Sequence, residues 1–312
     1  MPKILAKTDQ MTHEEWIVKR RSGIGGSDAG TICGLNPYGS LIELWADKTG
    51  RLPAKEDNEA MRIGRDLEEY VASRFTEATG KKVRRRNAMF CHDAHDFITA
   101  NIDREIVGEN AGLECKTTSV LNKTDYEGGS IPLHYLAQCR HYMNVMGFEK
   151  MYLAVLILGK GFFWYEIPYD KAEGDALLAL EIDFWKNHIE PDARPEPDGS
   201  ESAARVLEKL YEERRENTIA MFEQQKAADE LMVVKSQIKA LEQREKALQQ
   251  QLCVALGENT EGITEGYKVS WREQTRNTLD SKALKAEYPE IYEKYSKQST
   301  SKVFRITQRK DK

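Results

Sequence analysis

A β-hairpin pattern over Phe97–Ser119 is the feature that most restricts how this 312-residue chain can fold. Apolar residues recur between Ile98 and Val107 and predict a first strand. The turn-forming run Gly108–Gly112 follows, and a second strand is predicted over Leu113–Thr118. A hairpin places residues of its two strands side by side, so polar side chains on both strands can converge.

Three charged residues of this hairpin form the pattern of a metal-dependent phosphodiesterase. Glu114 and Lys116 point to the same face because side chains alternate along a strand. Asp103 lies on the paired strand, so two carboxylates and an ammonium group are expected to meet. The carboxylates are suited to hold divalent cations, and the lysine to stabilise charge or orient water. A solvated hairpin face with alternating charges is the alternative interpretation.

Charge and cysteine content restrict the class of protein. The formal net charge of −5 argues against non-specific polyanion binding by the whole surface, although a locally basic groove is compatible with it. The basic run Lys81–Arg86 fits a nucleic-acid groove and a solvated strand edge equally well. No CxxC pair occurs among the five cysteines, and no apolar segment has the length of a signal peptide or a membrane span. We therefore expect a cytoplasmic protein in a reducing compartment, with no membrane partner.

A short helix and a glycine-rich turn are predicted near the N-terminus. Thr12 is a candidate N-cap, with Glu15 three residues later. The basic run Lys19–Arg21 precedes a glycine-rich turn, and Ser27 is placed to cap the next helix. Such a turn is suited to anions because its backbone N–H groups are free to meet a phosphate. A structural turn with a helix cap is the alternative, and the absence of Gly-Lys-Ser/Thr excludes a nucleotide P-loop.

Helical and strand patterns alternate around the hairpin. Apolar stripes predict helices over 58–79, 132–147 and 171–189. Two β-rich runs at 151–158 and 162–168 predict a second hairpin. The N-terminal part of the chain is therefore expected to combine a sheet with flanking helices.

Several motifs occur in an order that resembles one family. They are Trp16 with Arg20, Ser27-Asp28, Gly64 with Glu68, Asp103, Glu114-Cys115-Lys116, and Tyr135-Leu136-Ala137-Gln138. Together they resemble the YqaJ-type viral recombinases, relatives of the lambda exonuclease within the PD-(D/E)XK nuclease superfamily. The resemblance covers residues 16–188. It implies an α/β (α+β) fold with a restriction-endonuclease-like core, in which helices flank a mixed central sheet.

The resemblance also implies a metal centre on the hairpin. Asp103 and Glu114 match the metal ligands of the family, with the backbone carbonyl of Cys115 as a third ligand. Lys116 matches the catalytic lysine near the attacking water. The implied cofactor is one or two Mg²⁺ ions, for which Mn²⁺ is expected to substitute.

Residues outside the hairpin match supporting roles in the family. Glu68 resembles a helix glutamate that supports the site and a metal-bound water, and Gln138 resembles the glutamine that orients the site. Arg20 and Ser27 resemble the residues that hold a terminal 5′-phosphate. The family usually has glycine after the strand aspartate, whereas this chain has Arg104.

The implied activity is 5′→3′ digestion of double-stranded DNA from phosphorylated ends, which leaves 3′ single-stranded tails. The implied partners are double-stranded DNA ends, a phage single-strand annealing protein and further copies of the chain, with a ring trimer as in the lambda exonuclease as one arrangement. A phage-encoded protein would act in the host bacterial cytoplasm. A DNA endonuclease on the same core and a non-catalytic DNA-binding or scaffold protein are the alternatives.

Four parts are expected along the chain: a nuclease domain at 1–190, a proline-rich linker at 191–200, a long helical or coiled-coil segment at 201–256 and a small α/β appendage at 257–312. The appendage is predicted from a strand at 267–271, a helix at 281–295 that is interrupted near Pro289, and a returning strand at 301–306.

The helical segment has a heptad-like pattern. Apolar residues from Leu231 to Ala255 alternate spacings of three and four, and Glu245 interrupts the run. Two interpretations stay open from the sequence. The helix packs on its own chain, for example as a two-helix hairpin with residues 203–228, or it associates with another chain.

Overall fold

The structure is a computed structural model that describes residues 2–53, 57–119, 130–213, 217–298 and 302–307. The chain divides into two units, Met1–Arg214 and Arg215–Lys312. All residues predicted to form the site lie in the first unit. No helix in the described part of the chain combines the length and the apolar character needed to cross a membrane.

A five-stranded sheet forms the centre of the first unit. Its strands are β2 (Val83–Arg84), β5 (Arg104–Ile106), β6 (Ala111–Thr118), β7 (Lys150–Ile157) and β8 (Gly161–Pro168), and they are arranged in the order β2-β5-β6-β7-β8. β6 and β7 are parallel, whereas the other neighbours are antiparallel. The sheet is therefore mixed, as the resemblance implies, and the hairpin predicted at 151–168 is confirmed as β7 and β8.

A second, smaller sheet changes the predicted hairpin. It contains β1 (Lys3–Lys7), β3 (Ala88–Cys91) and β4 (Thr99–Ala100) in the order β1-β3-β4. The first strand of the hairpin is thus wrong as one continuous element, because its residues are divided between β4 and β5 in different sheets. The division arises because the Thr99 N–H donates to the Ile24 carbonyl at 2.7 Å, which pairs this segment with the N-terminal glycine turn. The second strand of the hairpin is confirmed within β6.

The helices of the first unit are α1 (His13–Arg21), α2 (Gly26–Ile32), α3 (Leu41–Lys48), α4 (Glu59–Thr79), α5 (Leu133–Met146), α6 (Lys171–Phe184) and α7 (Glu201–Leu210). Local capping sets several of their ends. Thr12 and Glu15 form a capping box at α1, and the Asn58 side chain caps α4. Gly80 and Gly147 end α4 and α5 at φ values of 73° and 69°, where glycine has no steric penalty.

α4 and α5 cover opposite faces of the central sheet. α4 places Phe75 in a buried cluster with Leu113 of β6. α5 places Met143 in another buried cluster with Leu153 of β7, which pairs with Glu114. Because successive strand residues face opposite sides, β6 presents side chains to the two helices in turn. The helices predicted at 58–79 and 132–147 are confirmed.

The end of the first unit differs from the expected domain limits. α6 continues into one turn of π-helix, Trp185–Ile189, and thus covers the helix predicted at 171–189. α7 lies within the helical segment predicted at 201–256, but Ala203 and Val206 bury their side chains in a cluster with Trp45 of α3. The contact between apolar faces therefore extends the first unit to residue 214.

The second unit contains α8 (Gln225–Leu256), β9 (Glu261–Ile263), β10 (Lys268–Ser270), α9 (Ser281–Glu287) and α10 (Pro289–Tyr295). The strand at 267–271 and the helix break near Pro289 are confirmed, while β9, which pairs with β10, was not predicted. The returning strand at 301–306 is wrong for its described residues, since 302–306 form no strand. α7, which falls within the range of the two-helix hairpin interpretation, packs on α3.

Candidate active site

Asp103 and Glu114 meet where the pairing of β5 with β6 ends. Arg104 pairs with Leu113, so the preceding residue on one strand and the following residue on the other lie opposite each other. The Asp103 carboxylate accepts a hydrogen bond from the backbone N–H of Cys115 at 2.8 Å. This contact fixes Asp103 beside β6, and the structure thus brings together the two carboxylates of the hairpin pattern.

The two carboxylates make the local electrostatic potential more negative. Burial raises the pKa of Asp103 well above its ordinary value, and the nearby charges of Glu114 and Glu68 raise it further. Carboxylates that are close together disfavour each other's charged form. A bound cation would remove this penalty, so the arrangement favours a positively charged ligand.

Lys116 lies next to the acidic pair. Its Nζ atom is 2.6 Å from Glu114 Oε1 and 5.0 Å from the centroid of the Tyr135 ring. Burial alone would lower the pKa of Lys116, but the charges of Glu114 and Asp103 outweigh burial and raise the pKa above its ordinary value. Lys116 therefore stays protonated at neutral pH and acts as a hydrogen-bond donor and a positive charge.

Gln138 orients Glu114 from α5. Its Nε2 atom donates to Glu114 Oε1 at 2.7 Å and to the Tyr142 hydroxyl oxygen at 3.0 Å. Burial, followed by the charges of Glu114 and Asp103, raises the pKa of Tyr142 well above its ordinary value, so this hydroxyl stays neutral. Glu114 and Gln138 are both buried. The contacts hold one oxygen of Glu114 in place and leave the other available.

The residues fit a hard divalent cation. Glu114 Oε2 is buried and has no hydrogen-bond partner, which is costly unless a ligand such as a metal ion satisfies it. No three His, Cys, Asp or Glu side chains form a metal-binding group within the described ranges. The side-chain donors at the hairpin are therefore Asp103 and Glu114, and the Cys115 carbonyl and water would complete the set. Mg²⁺ commonly binds through one or two carboxylates while it keeps several waters.

Glu68 is held by Arg104, which stands where the resemblance implies a glycine. Arg104 donates to Glu68 at 2.5 Å, to the Asp103 backbone carbonyl at 2.6 Å and to Glu69 at 2.9 Å. The Arg104 side chain is 3% exposed, so it neither points into solvent nor presents a free DNA-binding surface. The Glu68 carboxylate is therefore already paired with the positively charged side chain of Arg104.

The basic run at 81–86 lies partly beside the site. Arg85 pairs with Glu69 at 2.9 Å, and Arg86 pairs with Glu105 at 2.7 Å. A polar cavity of about 140 Å³ is lined by these two arginines together with Asp103 and other residues. The run therefore contributes both to intramolecular ion pairs and to the cavity at the site.

Arg20 and Ser27, which are predicted to bind a terminal phosphate, contact each other. The Arg20 guanidinium donates to Ser27 Oγ at 2.8 Å and lies 5.5 Å from the Trp16 ring centroid. Both Arg20 and Ser27 are exposed. Next to Ser27, Asp28 lies 2.6 Å from the buried ammonium group of Lys48. Burial alone would raise the pKa of Asp28, but the positive charges of Lys48 and Arg20 lower it below its ordinary value. The Arg20–Ser27 pair thus adjoins the Lys48–Asp28 ion pair at the glycine turn.

Sequence reasoning missed Tyr135 and Tyr142 as parts of the site and left the contact of Arg104 open. The motif Tyr135–Gln138 predicts no contact for its tyrosine. A tyrosine four residues after Gln138 on the same helix face was a usable signal. His92 and His95 stack with their ring centroids 5.3 Å apart.

A mixed sheet with flanking helices carries the acidic pair beside Lys116, which is the α/β arrangement that the resemblance implies. The chain belongs to the YqaJ-like viral recombinase family. The family's domain pattern matches residues 15–149, and "Uncharacterized protein YqaJ" of Bacillus subtilis (strain 168) is 40% identical over 311 residues, covering 97% of both chains.

Two solved structures are similar at lower identity. An alkaline exonuclease from Laribacter hongkongensis has 19% identity and a TM-score of 0.44, over 57% of this chain and 98% of that chain. A phage-related exonuclease from Haemophilus somnus 129PT has 11% identity and a TM-score of 0.41, over 55% of this chain and 96% of that chain.

Proposed function

We propose that this chain is a Mg²⁺-dependent exonuclease that degrades double-stranded DNA 5′→3′ from phosphorylated ends and leaves 3′ single-stranded tails for annealing recombination. The observation that carries the proposal is the pair of half-buried Asp103 and buried Glu114, with one Glu114 oxygen lacking a partner and a protonated lysine 2.6 Å from the other. This combination suits hydrolysis of a phosphodiester, where negative charge develops on phosphate oxygens.

The residues have distinct roles in the proposed reaction. Asp103, Glu114 and the Cys115 carbonyl would hold one or two Mg²⁺ ions, or Mn²⁺ in their place. Bound Mg²⁺ supplies Lewis-acid stabilisation of phosphate charge and lowers the pKa of a coordinated water. Lys116 donates to the phosphate or orients the attacking water, and Gln138 keeps the Glu114 carboxylate in its binding orientation.

Residues away from the metal ligands are proposed to recognise the end of the DNA substrate. Arg20 and Ser27 are proposed to bind the terminal 5′-phosphate, since a guanidinium and a hydroxyl both donate to phosphate oxygens. Glu68 is proposed to support the site through a water while Arg104 fixes its carboxylate. The annealing partner and the homo-oligomer, including a ring trimer, stay predictions.

The proposal is tested by time-resolved digestion of end-labelled linear duplex DNA with Mg²⁺ or Mn²⁺. Asp103→Asn and Lys116→Met should abolish digestion while binding to DNA survives. Asp96→Asn and Lys171→Met are matched controls, because both side chains are more than two-thirds exposed and lie in surface ion pairs. Normal digestion by Asp103→Asn would show that the site is assigned to the wrong residues.

The same assay tests the preference for 5′-phosphorylated ends and distinguishes an exonuclease from the alternative functions. Wild-type protein should prefer 5′-phosphate over 5′-hydroxyl ends, and Arg20→Ala should selectively reduce that preference. Cleavage of covalently closed circles would favour an endonuclease instead. DNA binding without digestion under any of these conditions would favour a non-catalytic scaffold.

A further inference from the structure

Three rings form a row that begins at the lysine of the proposed active site. The Lys116 Nζ atom lies 5.0 Å from the Tyr135 ring centroid. The Tyr135 and His134 centroids are 4.2 Å apart, and the His134 and Tyr38 centroids are 6.4 Å apart with perpendicular rings. The row thus connects Lys116 with Tyr38, which lies in the loop between α2 and α3.

The outer end of this row is an exposed apolar surface. Tyr38 is 68% exposed, and Leu133, the neighbour of His134 in α5, is 57% exposed. Leu35 in the Tyr38 loop is also exposed. Single exposed apolar residues are common on proteins, but here a tyrosine contacts a ring series that leads to the proposed site. This continuity distinguishes the surface from a scattered apolar residue.

Hydrogen bonds fix the loop that carries Tyr38. Asn36 Nδ2 donates to Thr31 Oγ1 of α2 at 2.9 Å, and the Tyr38 backbone N–H donates to Asn36 Oδ1 at 3.0 Å. The base of the loop is fixed because α2 packs tightly on α5. A Cβ atom at Gly30 would lie only 2.8 Å from His134 Cβ. Tyr38 is therefore presented on a rigid support and needs little ordering to bind a planar ligand.

We propose that Tyr38 is a stacking platform for an unpaired nucleobase of the DNA strand whose phosphate is hydrolysed at Lys116. This inference rests on the proposed nuclease function and adds a base-binding subsite to it. Aromatic side chains bind bases of any sequence, since every base has a π-face. Bases within a duplex present only their edges to a protein, so an exposed tyrosine fits an unpaired end better than an intact helix.

The basic residues of the first unit agree with this occupant. Lys116 at the inner end and the exposed Arg20 at the glycine turn are suited to backbone phosphates, whereas the rings present apolar surface for bases. Single-stranded nucleic acids are generally bound by such a combination of basic groups and stacking residues.

The test is a double-mutant cycle in which DNA binding is measured while substitutions of Tyr38 are combined with removal of individual bases. A labelled duplex with a 5′-phosphate and a short non-complementary end is bound by the full chain in Ca²⁺, and an abasic site is moved through the unpaired positions. For wild type, one abasic position should weaken binding by about 5- to 150-fold. Tyr38→Ala should weaken binding of intact DNA by a similar factor and should be insensitive to that abasic site. Tyr38→Phe should behave as wild type.

The matched control is Tyr267→Ala, which removes a tyrosine of the second unit that is 79% exposed. Equal losses for the two alanine variants, or an unchanged abasic response in Tyr38→Ala, would overturn the stacking role. Digestion with Mg²⁺ is measured on the same DNA. If wild type digests the DNA but Tyr38→Ala remains as sensitive to the abasic site as wild type, only the stacking role is refuted. If wild type neither binds nor digests the DNA, the proposed function is refuted as well.

Discussion

Replacement of Arg104 by methionine is expected to destabilise the first unit by about 2 kcal/mol. Methionine keeps most of the buried volume but removes the donors to Glu68, Glu69 and the Asp103 carbonyl. A hydrogen bond to a charged group contributes about 1.5–3 kcal/mol, and one to a neutral carbonyl about 1 kcal/mol. The Glu69 contact adds little, because that side chain is 69% exposed and also pairs with Arg85.

Two effects keep the expected loss below the sum of these contacts. The buried guanidinium carries a desolvation penalty that methionine does not. Glu68 is 30% exposed and lies 3.8 Å from Arg85, so it would not be left as a fully buried, unpaired charge. A loss of about 2 kcal/mol corresponds to a fall in Tm of about 4–8 °C for a unit of this size.

The assay is thermal unfolding in EDTA, followed by near-UV circular dichroism, so that no metal masks the effect. Arg62→Met is the matched control, because Arg62 is 63% exposed and its carboxylate partners are 3.7 Å and 3.8 Å away. The control should change stability by less than about 0.5 kcal/mol. If Glu68→Gln is added to Arg104→Met, the two effects should not be additive, since the residues are in direct contact. An unchanged Tm, or simple additivity, would refute the assigned ion pair.

Two further predictions concern the packing of α5. Burial alone would lower the pKa of His141, but the buried Glu181 carboxylate 2.6 Å away raises it; the pair therefore stabilises the fold fully below about pH 6.5 and loses its contribution as the pH rises through the raised value. The Tm difference between wild type and Glu181→Gln should shrink from pH 6 to pH 9, and a difference that grows would contradict the assignment. Gly26→Ala should destabilise by about 1–3 kcal/mol in urea unfolding, because its Cβ would lie 2.5 Å from the Tyr142 ring. The same change at Gly64, where a Cβ meets nothing within 4 Å, should stabilise α4 by up to about 1 kcal/mol; equal signs for the two glycines would disprove the contact.

Features encoded by neighbouring residues could be predicted from the sequence. The capping box of Thr12 and Glu15 and the ends of α4 at Asn58 and Gly80 involve groups within one helical turn of each other. The alternation of Glu114 and Lys116 on β6 is also a local property, and the structure places both beside Gln138 or Tyr135 of α5. These predictions need no knowledge of the partner elements.

Features that depend on distant partners could not be predicted. The pairing of Thr99 with Ile24, which divides the first strand of the hairpin, joins residues 75 positions apart. The contact between Arg104 and Glu68 spans 36 positions. A departure from a motif indicates that the local contacts change, but the new partner follows only from the packing of α4 on the sheet.

The position of Arg104 explains how one residue connects the two faces of the sheet. Arg104 pairs with Leu113, which faces α4, whereas the preceding Asp103 lies opposite Glu114, which faces α5. The arginine side chain holds the carboxylates of α4, and the same guanidinium holds the backbone carbonyl of Asp103. A glycine at this position has no side chain and could make neither contact. Glu68 still raises the pKa of Asp103 despite this ion pair, so the charge on α4 acts on the acidic pair while Arg104 fixes its position.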